Sequence, residues 1–206
     1  MTTSKSVVII DYGLGNVASA SKAFAKLGAS VKISRDKNDI NTATHLVLPG
    51  VGAFGEGIRL LEESGVIPMI TERALRQKIP FLGICLGMQL LASTGNEFGV
   101  HRGLNWLPGT VDELSGTHIR LPHVGWNEIM IQKKGVLLQG LADRNFYFVH
   151  SFVFNCTDPG AVIATCGYGD GFVAVVEKGN IFGTQFHPEK SQVSGLTVLK
   201  NFLSYA

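Results

Sequence analysis

Short apolar runs alternate with segments of helical periodicity through the first half of the chain. The apolar run at residues 6–10 predicts a buried strand, and Val17, Ala20, Phe24 and Leu27 then recur at three- and four-residue spacing, which is typical of one helix face. The same patterns predict strands at 29–34, 45–48 and 80–84, a helix at 56–76 with a break near Gly65 and Pro68, and a helix at 86–92. Because strand and helix alternate, we expect βαβ units and a parallel sheet covered on both faces.

The second half of the chain is richer in strands. They are predicted at 110–114, 127–131, 145–149, 162–166, 172–177 and 181–186, with a hairpin-like turn at 178–180 and a closing helix carrying Leu196, Leu199 and Leu203. No linker, repeat or low-complexity tract divides the sequence. We therefore expect one domain over residues 1–206, of the α/β class, with an open, mostly parallel, flavodoxin-like sheet flanked by helices and an antiparallel extension.

Composition narrows the classes of function. Of the 206 residues, 45% are hydrophobic and 17% charged, which favours a compact, largely buried chain. The net charge of +2 comes from scattered residues, so nothing indicates a nucleic-acid or lipid surface. The first apolar run is too short for a signal peptide or a membrane span, and we expect a cytoplasmic protein. Cys85, Cys156 and Cys166 match neither a metal-binding spacing nor a disulfide framework, so we expect free thiols and no metal site.

One of these cysteines has the surroundings of a nucleophile. Cys85 lies between Gly83 and Gly87 at the predicted strand-to-helix junction. A nucleophile on so tight a turn has a strained backbone, and the flanking turns approach too closely for side chains two residues away. The amides at the start of the next helix would stabilise a thiolate. A buried core cysteine is the alternative, and this motif alone leaves both interpretations open.

A histidine and a carboxylate lie close together late in the sequence. Pro188 favours an extended backbone at His187, and residues two apart in an extended segment project to the same side, so His187 and Glu189 can touch. Such a pair supplies the base and the orienting carboxylate that a thiol nucleophile needs. In isolation, a loop histidine beside a solvated glutamate explains the motif better.

Glycine-rich loops follow two of the predicted strands. Gly50 and Gly52 follow the third strand and can offer backbone N–H groups to an oxyanion, although an ordinary turn has the same composition. Gly13, Gly15 and Ala18 follow the first strand with the spacing of a dinucleotide-binding loop, and Asp36 lies about where a ribose-binding acid would. A nucleotide-binding module is therefore a second hypothesis, but it leaves the cysteine elbow and the His-x-Glu pair without a role.

The order of the elbow cysteine, the late His-Pro-Glu and the earlier glycine-rich strand resembles that of the class I, or triad, glutamine amidotransferases. Five blocks, at residues 49–57, 83–91, 121–128, 147–151 and 185–191, are similar to the glutamine amidotransferase subunits of imidazole glycerol phosphate synthases from histidine biosynthesis. The blocks PHVGWN and YFVHS argue against the amidotransferases of anthranilate, carbamoyl phosphate or pyridoxal phosphate synthesis. The resemblance implies glutamine as the substrate, a thioester at Cys85, no cofactor, and a heterodimer with a cyclase subunit that uses the ammonia to make imidazole glycerol phosphate and AICAR.

The resemblance also implies roles for individual residues. The triad would be Cys85, His187 and Glu189. The oxyanion site would comprise Gly50, Val51, Gly52 and Leu86, and the glutamine pocket would include Gln89, Glu97, Tyr147, His150 and Ser151. The cyclase would contact Asn16, His123, Trp126, Asn127 and Lys190. For His123 and His150, packing and partner contact stay open as alternatives.

Overall fold

Two β-sheets organise residues 5–205, the part of the chain that the computed structural model describes. The strands are β1 (Ser6–Ile10), β2 (Ser30–Ser34), β3 (His45–Gly50), β4 (Phe81–Cys85), β5 (Thr94–Gly95), β6 (His101–Arg102), β7 (Gly109–Glu113), β8 (His123–Ile131), β9 (Asn145–His150), β10 (Phe152–Cys156), β11 (Val162–Cys166), β12 (Phe172–Lys178) and β13 (Ile181–Thr184). The helices are α1 (Val17–Lys26), α2 (Lys37–Thr42), α3 (Phe54–Glu63), α4 (Ile67–Thr71), α5 (Leu86–Gln89) and α6 (Gln192–Ser204). A π-helical turn, Glu72–Arg76, continues α4, and a 3-10 turn, Pro188–Lys190, precedes α6.

The larger sheet joins a parallel half to an antiparallel half. Its order is β2-β1-β3-β4-β13-β12-β11-β8-β9, and the first five strands are parallel to one another. Their order matches the 2-1-3-4-5 arrangement of flavodoxin-like sheets, with β13 in the fifth position. The remaining neighbours are antiparallel. The α/β fold with an antiparallel extension is thus confirmed, but parallel pairings are not in the majority, because the second half of the chain returns through hairpins.

A second, four-stranded sheet has the order β10-β7-β5-β6, which the sequence pattern did not predict. Its strands β5 and β6 have two residues each, too few to produce an alternating pattern. Only the bend at Ser151 separates β9 in the larger sheet from β10 in the smaller one. The chain therefore crosses between the two sheets within a single residue.

Several predicted boundaries were wrong. The helix expected at 56–76 is α3, α4 and the π-helical turn, with the break at Gly65, where φ is +70°. The helix expected at 86–92 ends at Gln89, because the next carbonyl groups accept N–H bonds from residues 104–107 instead of from a continuing helix. β8 begins at His123, four residues before the predicted strand, and β13 ends two residues early.

The predicted dinucleotide-binding residues have structural roles. Asp36 caps the unpredicted helix α2, where its side chain accepts N–H bonds from Asn38 at 2.7 Å and Asp39 at 3.3 Å. Gly15 has a φ of +110°, and a Cβ there would lie 3.0 Å from the carbonyl of Pro49. The glycine therefore lets the loop after β1 pack against the end of β3.

Helices bury both faces of the parallel half, as the sequence predicted. Val7 and Ile9 of β1 face the cluster formed with α1 and α6, whereas Val8 and Ile10 face the cluster formed with α3 and α5. The predicted closing helix is α6, whose 13 residues make it the longest of the described helices. No helix within residues 5–205 combines the length and apolar character needed to cross a bilayer.

Candidate active site

The carboxyl ends of the parallel strands form the edge at which the candidate residues meet. β3 ends at Gly50 and β4 ends at Cys85, and these two residues are paired in register. β13 lies on the other side of β4 and leads into the segment that carries His187. Open α/β sheets bind ligands at this edge, so the topology brings together three motifs that are distant in sequence.

Cys85 has the strained backbone that its position predicts. Its φ of 55° and ψ of −112° lie outside the regions that residues with a side chain ordinarily occupy. The strand ends and α5 begins at this single residue. Strain of this kind persists only where the surroundings impose it, and it clusters at functional sites.

The two flanking glycines explain how the strain is imposed. A Cβ on Gly87 would lie 1.8 Å from the Leu48 carbonyl oxygen, and one on Gly83 would lie 2.5 Å from the Gly87 carbonyl oxygen. Gly50 is enclosed in the same way, since a Cβ added there would lie 2.6 Å from the Tyr12 hydroxyl oxygen. The start of α5 thus packs directly on the backbone of β3, which any side chain at these glycines would prevent.

His187 and Glu189 make the predicted contact, although by a different backbone geometry. His187 is extended, with φ −94° and ψ 97°, but Glu189 lies in the 3-10 turn that begins at Pro188. His187 Nδ1 and Glu189 Oε1 are 2.8 Å apart, and each side chain is only 2% exposed. The turn, rather than alternation along an extended strand, brings the carboxylate to the ring.

Two neighbours hold His187 in its charged form. Burial alone would lower the pKa of His187, but interactions with Cys85 and with Glu189 raise it to about 10. Nδ1 donates to the carboxylate, and Nε2 has no hydrogen-bond partner within residues 5–205. The histidine therefore carries a proton at neutral pH and has one ring nitrogen available for proton exchange.

Cys85 opens into a cavity of about 490 Å³. The thiol lies 3.9 Å from the Val149 carbonyl oxygen, which also belongs to the wall. The cavity brings together many of the predicted site residues, namely Val51, Gly52, Leu86, Gln89, Glu97, His150, Ser151 and Lys190. A small polar molecule can therefore reach the sulfur between side chains of both charges.

Backbone contacts fix two polar side chains of this cavity. Gln89 Nε2 donates to the Phe152 carbonyl oxygen at 2.8 Å and to Gln185 Oε1 at 3.0 Å. Glu97 Oε2 accepts the N–H of Phe54 at 2.7 Å, at the first residue of α3. This contact holds the Glu97 side chain in place at the start of the helix.

Other predicted residues lie outside the cavity lining. Gly50 is buried under the elbow, and Tyr147 contributes its carbonyl oxygen, which accepts the His187 N–H at 3.0 Å. The Tyr147 ring packs 6.2 Å from Trp126 and 5.6 Å from the Lys190 ammonium group. His123 is only 4% exposed, so the structure does not place it where a partner could contact it.

Asn16 and Asn127, both predicted partner contacts, are half-buried. Asn16 caps α1, where its side chain accepts the Ser19 N–H at 3.3 Å. Asn127 lies on β8 beside the exposed Trp126. Both are therefore partly engaged within the chain.

Sequence reasoning missed two buried polar residues of the site. Gln185 Nε2 lies 3.7 Å from the Cys85 sulfur, and the Ser191 hydroxyl donates to the His187 carbonyl oxygen at 2.7 Å while accepting the Tyr147 N–H at 3.0 Å. Both belong to the QFHPEKS block, but the sequence does not mark them as site residues. Their burial does, since Gln185 is fully buried and Ser191 is 1% exposed.

Comparisons with known proteins agree on one family. The family model described as glutamine amidotransferase class-I matches residues 8–205. The chain is 47% identical over 199 residues to imidazole glycerol phosphate synthase subunit HisH 1 of Campylobacter jejuni (strain RM1221), covering 96% of this chain and 98% of that protein. It is 44% identical over 203 residues to subunit HisH of Geobacter sulfurreducens, covering 95% of this chain and 97% of the relative.

Solved structures show the same fold at low identity. PurLQS from Thermotoga maritima superposes with a TM-score of 0.76 and 20% identity, covering 98% of this chain and 99% of that chain. A crystal structure of a glutamine amidotransferase superposes with a TM-score of 0.74 and 21% identity, covering 96% of this chain and 97% of the other.

The elbow contact predicts a stability effect. Gly87→Ala should lower the free energy of unfolding by at least about 3 kcal/mol, because the new methyl group would overlap the backbone of β3. Gly179→Ala is the matched control: its φ is +60° but nothing lies within 4 Å of its Cβ, so a loss of about 1 kcal/mol is expected. Urea unfolding measures both values, and equal losses would contradict the proposed overlap.

The histidine pair predicts a titration. His187 should remain protonated through neutral pH in nitrogen NMR spectra, and Glu189→Gln should lower its midpoint, because the carboxylate helps to raise the pKa. Folding raises this pKa from 6.5 to about 10, so the stabilisation is complete below pH 6.5 and is lost as the pH rises through about 10. A His187 midpoint near 6.5 in the unaltered chain is the contrary result.

Proposed function

Because the chain belongs to the class I glutamine amidotransferases, we propose that Cys85, His187 and Glu189 form the triad that hydrolyses glutamine. The observation that carries this proposal is the strained cysteine at the cavity, beside a buried histidine that is paired with a carboxylate. The chain is the glutamine amidotransferase subunit of an imidazole glycerol phosphate synthase and acts in histidine biosynthesis, as its full-length similarity to HisH proteins indicates.

The geometry supports a thioester mechanism. His187 holds the proton of the Cys85 thiol in its charged form, and the thiolate attacks the side-chain amide carbon of glutamine. The tetrahedral intermediate collapses when His187 returns the proton to the leaving nitrogen, which departs as ammonia. Water then attacks the thioester, with His187 accepting a proton, so that glutamate is released and the starting pair of Cys85 thiolate and protonated His187 is restored. Glu189 keeps the ring oriented and stabilises its positive charge.

Backbone amides beside the sulfur provide the oxyanion site in this proposal. Leu86 is the first residue of α5, and the amide of a first helical residue has no acceptor within its own helix. Val51 and Gly52 also line the cavity and belong to the loop that follows β3. Gly50 contributes by letting that loop lie close to the elbow.

Charged and polar groups of the cavity suit the amino-acid end of glutamine. The Glu97 carboxylate complements an α-ammonium group, and Gln89 and Ser151 add hydrogen-bonding groups in the same cavity. Tyr147 supports the site indirectly, since its carbonyl oxygen holds the His187 backbone.

We propose that the cyclase subunit docks on the outer face of β8. This face exposes Val124, Trp126 and Met130, with exposed fractions of 56%, 48% and 50%, and Leu121, just before the strand, is 39% exposed. Adjacent apolar side chains of this size mark interaction surfaces on soluble domains. Lys190 belongs both to the cavity lining and to the cluster with Tyr147 beside Trp126, so the proposed interface adjoins the site where ammonia forms.

Asn16 lies in the loop after β1, beside Gly15, the glycine that packs on Pro49. We include Asn16 in the proposed heterodimer interface. We place both subunits in the cytoplasm, a compartment that suits the three free cysteines of this chain.

Removing the nucleophile tests the catalytic proposal. Cys85→Ala should lower glutamine hydrolysis by at least about 10⁴-fold, since the thioester cannot form, while the fold and cyclase binding are retained. Ammonia release measures the activity. The matched control is Cys156→Ala, which removes a half-buried thiol outside the cavity. Glutaminase activity that persists in Cys85→Ala refutes the assignment.

The docking proposal predicts stimulation by the partner. The isolated chain should hydrolyse glutamine slowly, and the cyclase with its ligand should accelerate it, because the exposed Val51–Gly52 loop becomes ordered on docking. Trp126→Ala should raise the cyclase concentration needed for half-maximal stimulation by about 30-fold. Val193→Ala, at a 72% exposed apolar residue on α6, should leave it unchanged. Identical rates with and without the cyclase contradict the proposal.

A further inference from the structure

Two buried imidazoles and an amide form a continuous hydrogen-bond chain beside the cavity. Asn127 Nδ2 lies 3.4 Å from His123 Nε2, and His123 Nδ1 lies 3.1 Å from His150 Nε2. His150 Nδ1 lies 3.1 Å from the Phe152 carbonyl oxygen. The chain starts on β8 and ends at the residue that opens β10.

Backbone groups at the two ends fix the direction of every bond. The N–H of Glu128 donates to Asn127 Oδ1 at 2.9 Å, which turns the amide nitrogen of Asn127 toward His123. At the other end the Phe152 carbonyl group only accepts, so His150 must carry its hydrogen on Nδ1. His150 Nε2 then accepts from His123 Nδ1, and His123 Nε2 accepts from Asn127.

This arrangement requires both rings to be neutral, and burial favours that state. Burial, followed by the proximity of His123, lowers the pKa of His150 to about 3, and burial lowers the pKa of His123. A protonated ring would place two N–H groups against each other. The His123 ring also stacks on Tyr168 with centroids 4.1 Å apart, which fixes its orientation.

The far end of the chain supports the cavity wall. The Phe152 carbonyl oxygen accepts from His150 and also from Gln89 Nε2. His150, Ser151 and Phe152 all line the cavity, at the bend where the backbone passes from one sheet to the other. The Ser151 carbonyl oxygen accepts the Leu114 N–H at 2.8 Å, and the His150 and Gln89 side chains add a second restraint at the Phe152 carbonyl group.

We propose that Asn127, His123 and His150 are positioning residues for glutamine, because their directed chain holds the wall of the pocket at Ser151 and Phe152. This inference rests on the proposed function, since it concerns the same pocket. It assigns His123 to the interior of the site instead of to the cyclase contact, and gives His150 a supporting role beside its place in the lining.

The test uses substitutions at His123 in the complex with the cyclase. His123→Phe keeps a ring against Tyr168 but removes both nitrogens, so KM for glutamine should rise about tenfold while kcat changes by less than about threefold. His123→Asn retains an N–H near the position of Nδ1 and should recover most of the loss. His118→Asn, at an exposed histidine, is the matched control and should leave KM unchanged.

A second measurement does not depend on activity. Nitrogen NMR of the Cys85→Ala chain should find His150 protonated at Nδ1 and unprotonated at Nε2, and His123→Phe should shift the His150 Nε2 resonance. An Nε2-protonated His150, or a folded His123→Phe variant with unchanged KM, overturns the inference. If the unaltered complex does not hydrolyse glutamine, the proposed function fails. The His150 tautomer alone then decides whether the directed hydrogen bonds between Asn127, His123 and His150 exist.

Discussion

The contact of Gly87 with the Leu48 carbonyl oxygen is the constraint on which the rest of the site depends. It brings the first turn of α5 onto the backbone of β3, and this close approach leaves Cys85 no ordinary conformation between strand and helix. The strain at one residue is therefore set by packing across two parallel strands. Because the interior of the sheet is close-packed on both faces, the cysteine has little room to relax.

Each structural layer contributes a different part of the chemistry. In the proposed triad the parallel half supplies the nucleophile, and the segment from His187 into the 3-10 turn before α6 supplies the base and its carboxylate. The bend at Ser151, between the larger and the smaller sheet, supplies one wall of the cavity in which we propose that glutamine binds. Ser191 joins two of these parts, since its hydroxyl bonds both the His187 loop and β9.

Local chemistry was the predictable part of this molecule. Cys85 with its glycines, and His187 with Glu189, are short motifs whose conformations follow from neighbours in the chain, and their geometry agrees with expectation except for the 3-10 turn. Strands long enough to show a period were also predicted, except for the five-residue β10, which no turn signal separates from β9. The smaller sheet was missed because two of its strands have only two residues each. Gln185, Ser191 and the direction of the His123–His150 bond arise from contacts between residues far apart in sequence, and no local pattern carries that information. For His123 the sequence left packing and partner contact open, and its exposure of only 4% favours packing.

The fixed direction of the Asn127–His123–His150 hydrogen-bond chain prevents proton transfer along it. An imidazole conducts protons by accepting at one nitrogen, releasing at the other and then returning to its starting tautomer. Here the Phe152 carbonyl group has no proton to give and the Glu128 N–H cannot accept one. Protons can therefore neither enter nor leave the hydrogen-bond chain at its ends. His150 lies near enough to His187 for the positive charge of His187 to lower the pKa of His150. Even so, His150 cannot pass a proton on. In the proposed mechanism, a proton taken from the Cys85 sulfur therefore cannot leave His187 through His150, and it stays on His187 until the leaving nitrogen accepts it.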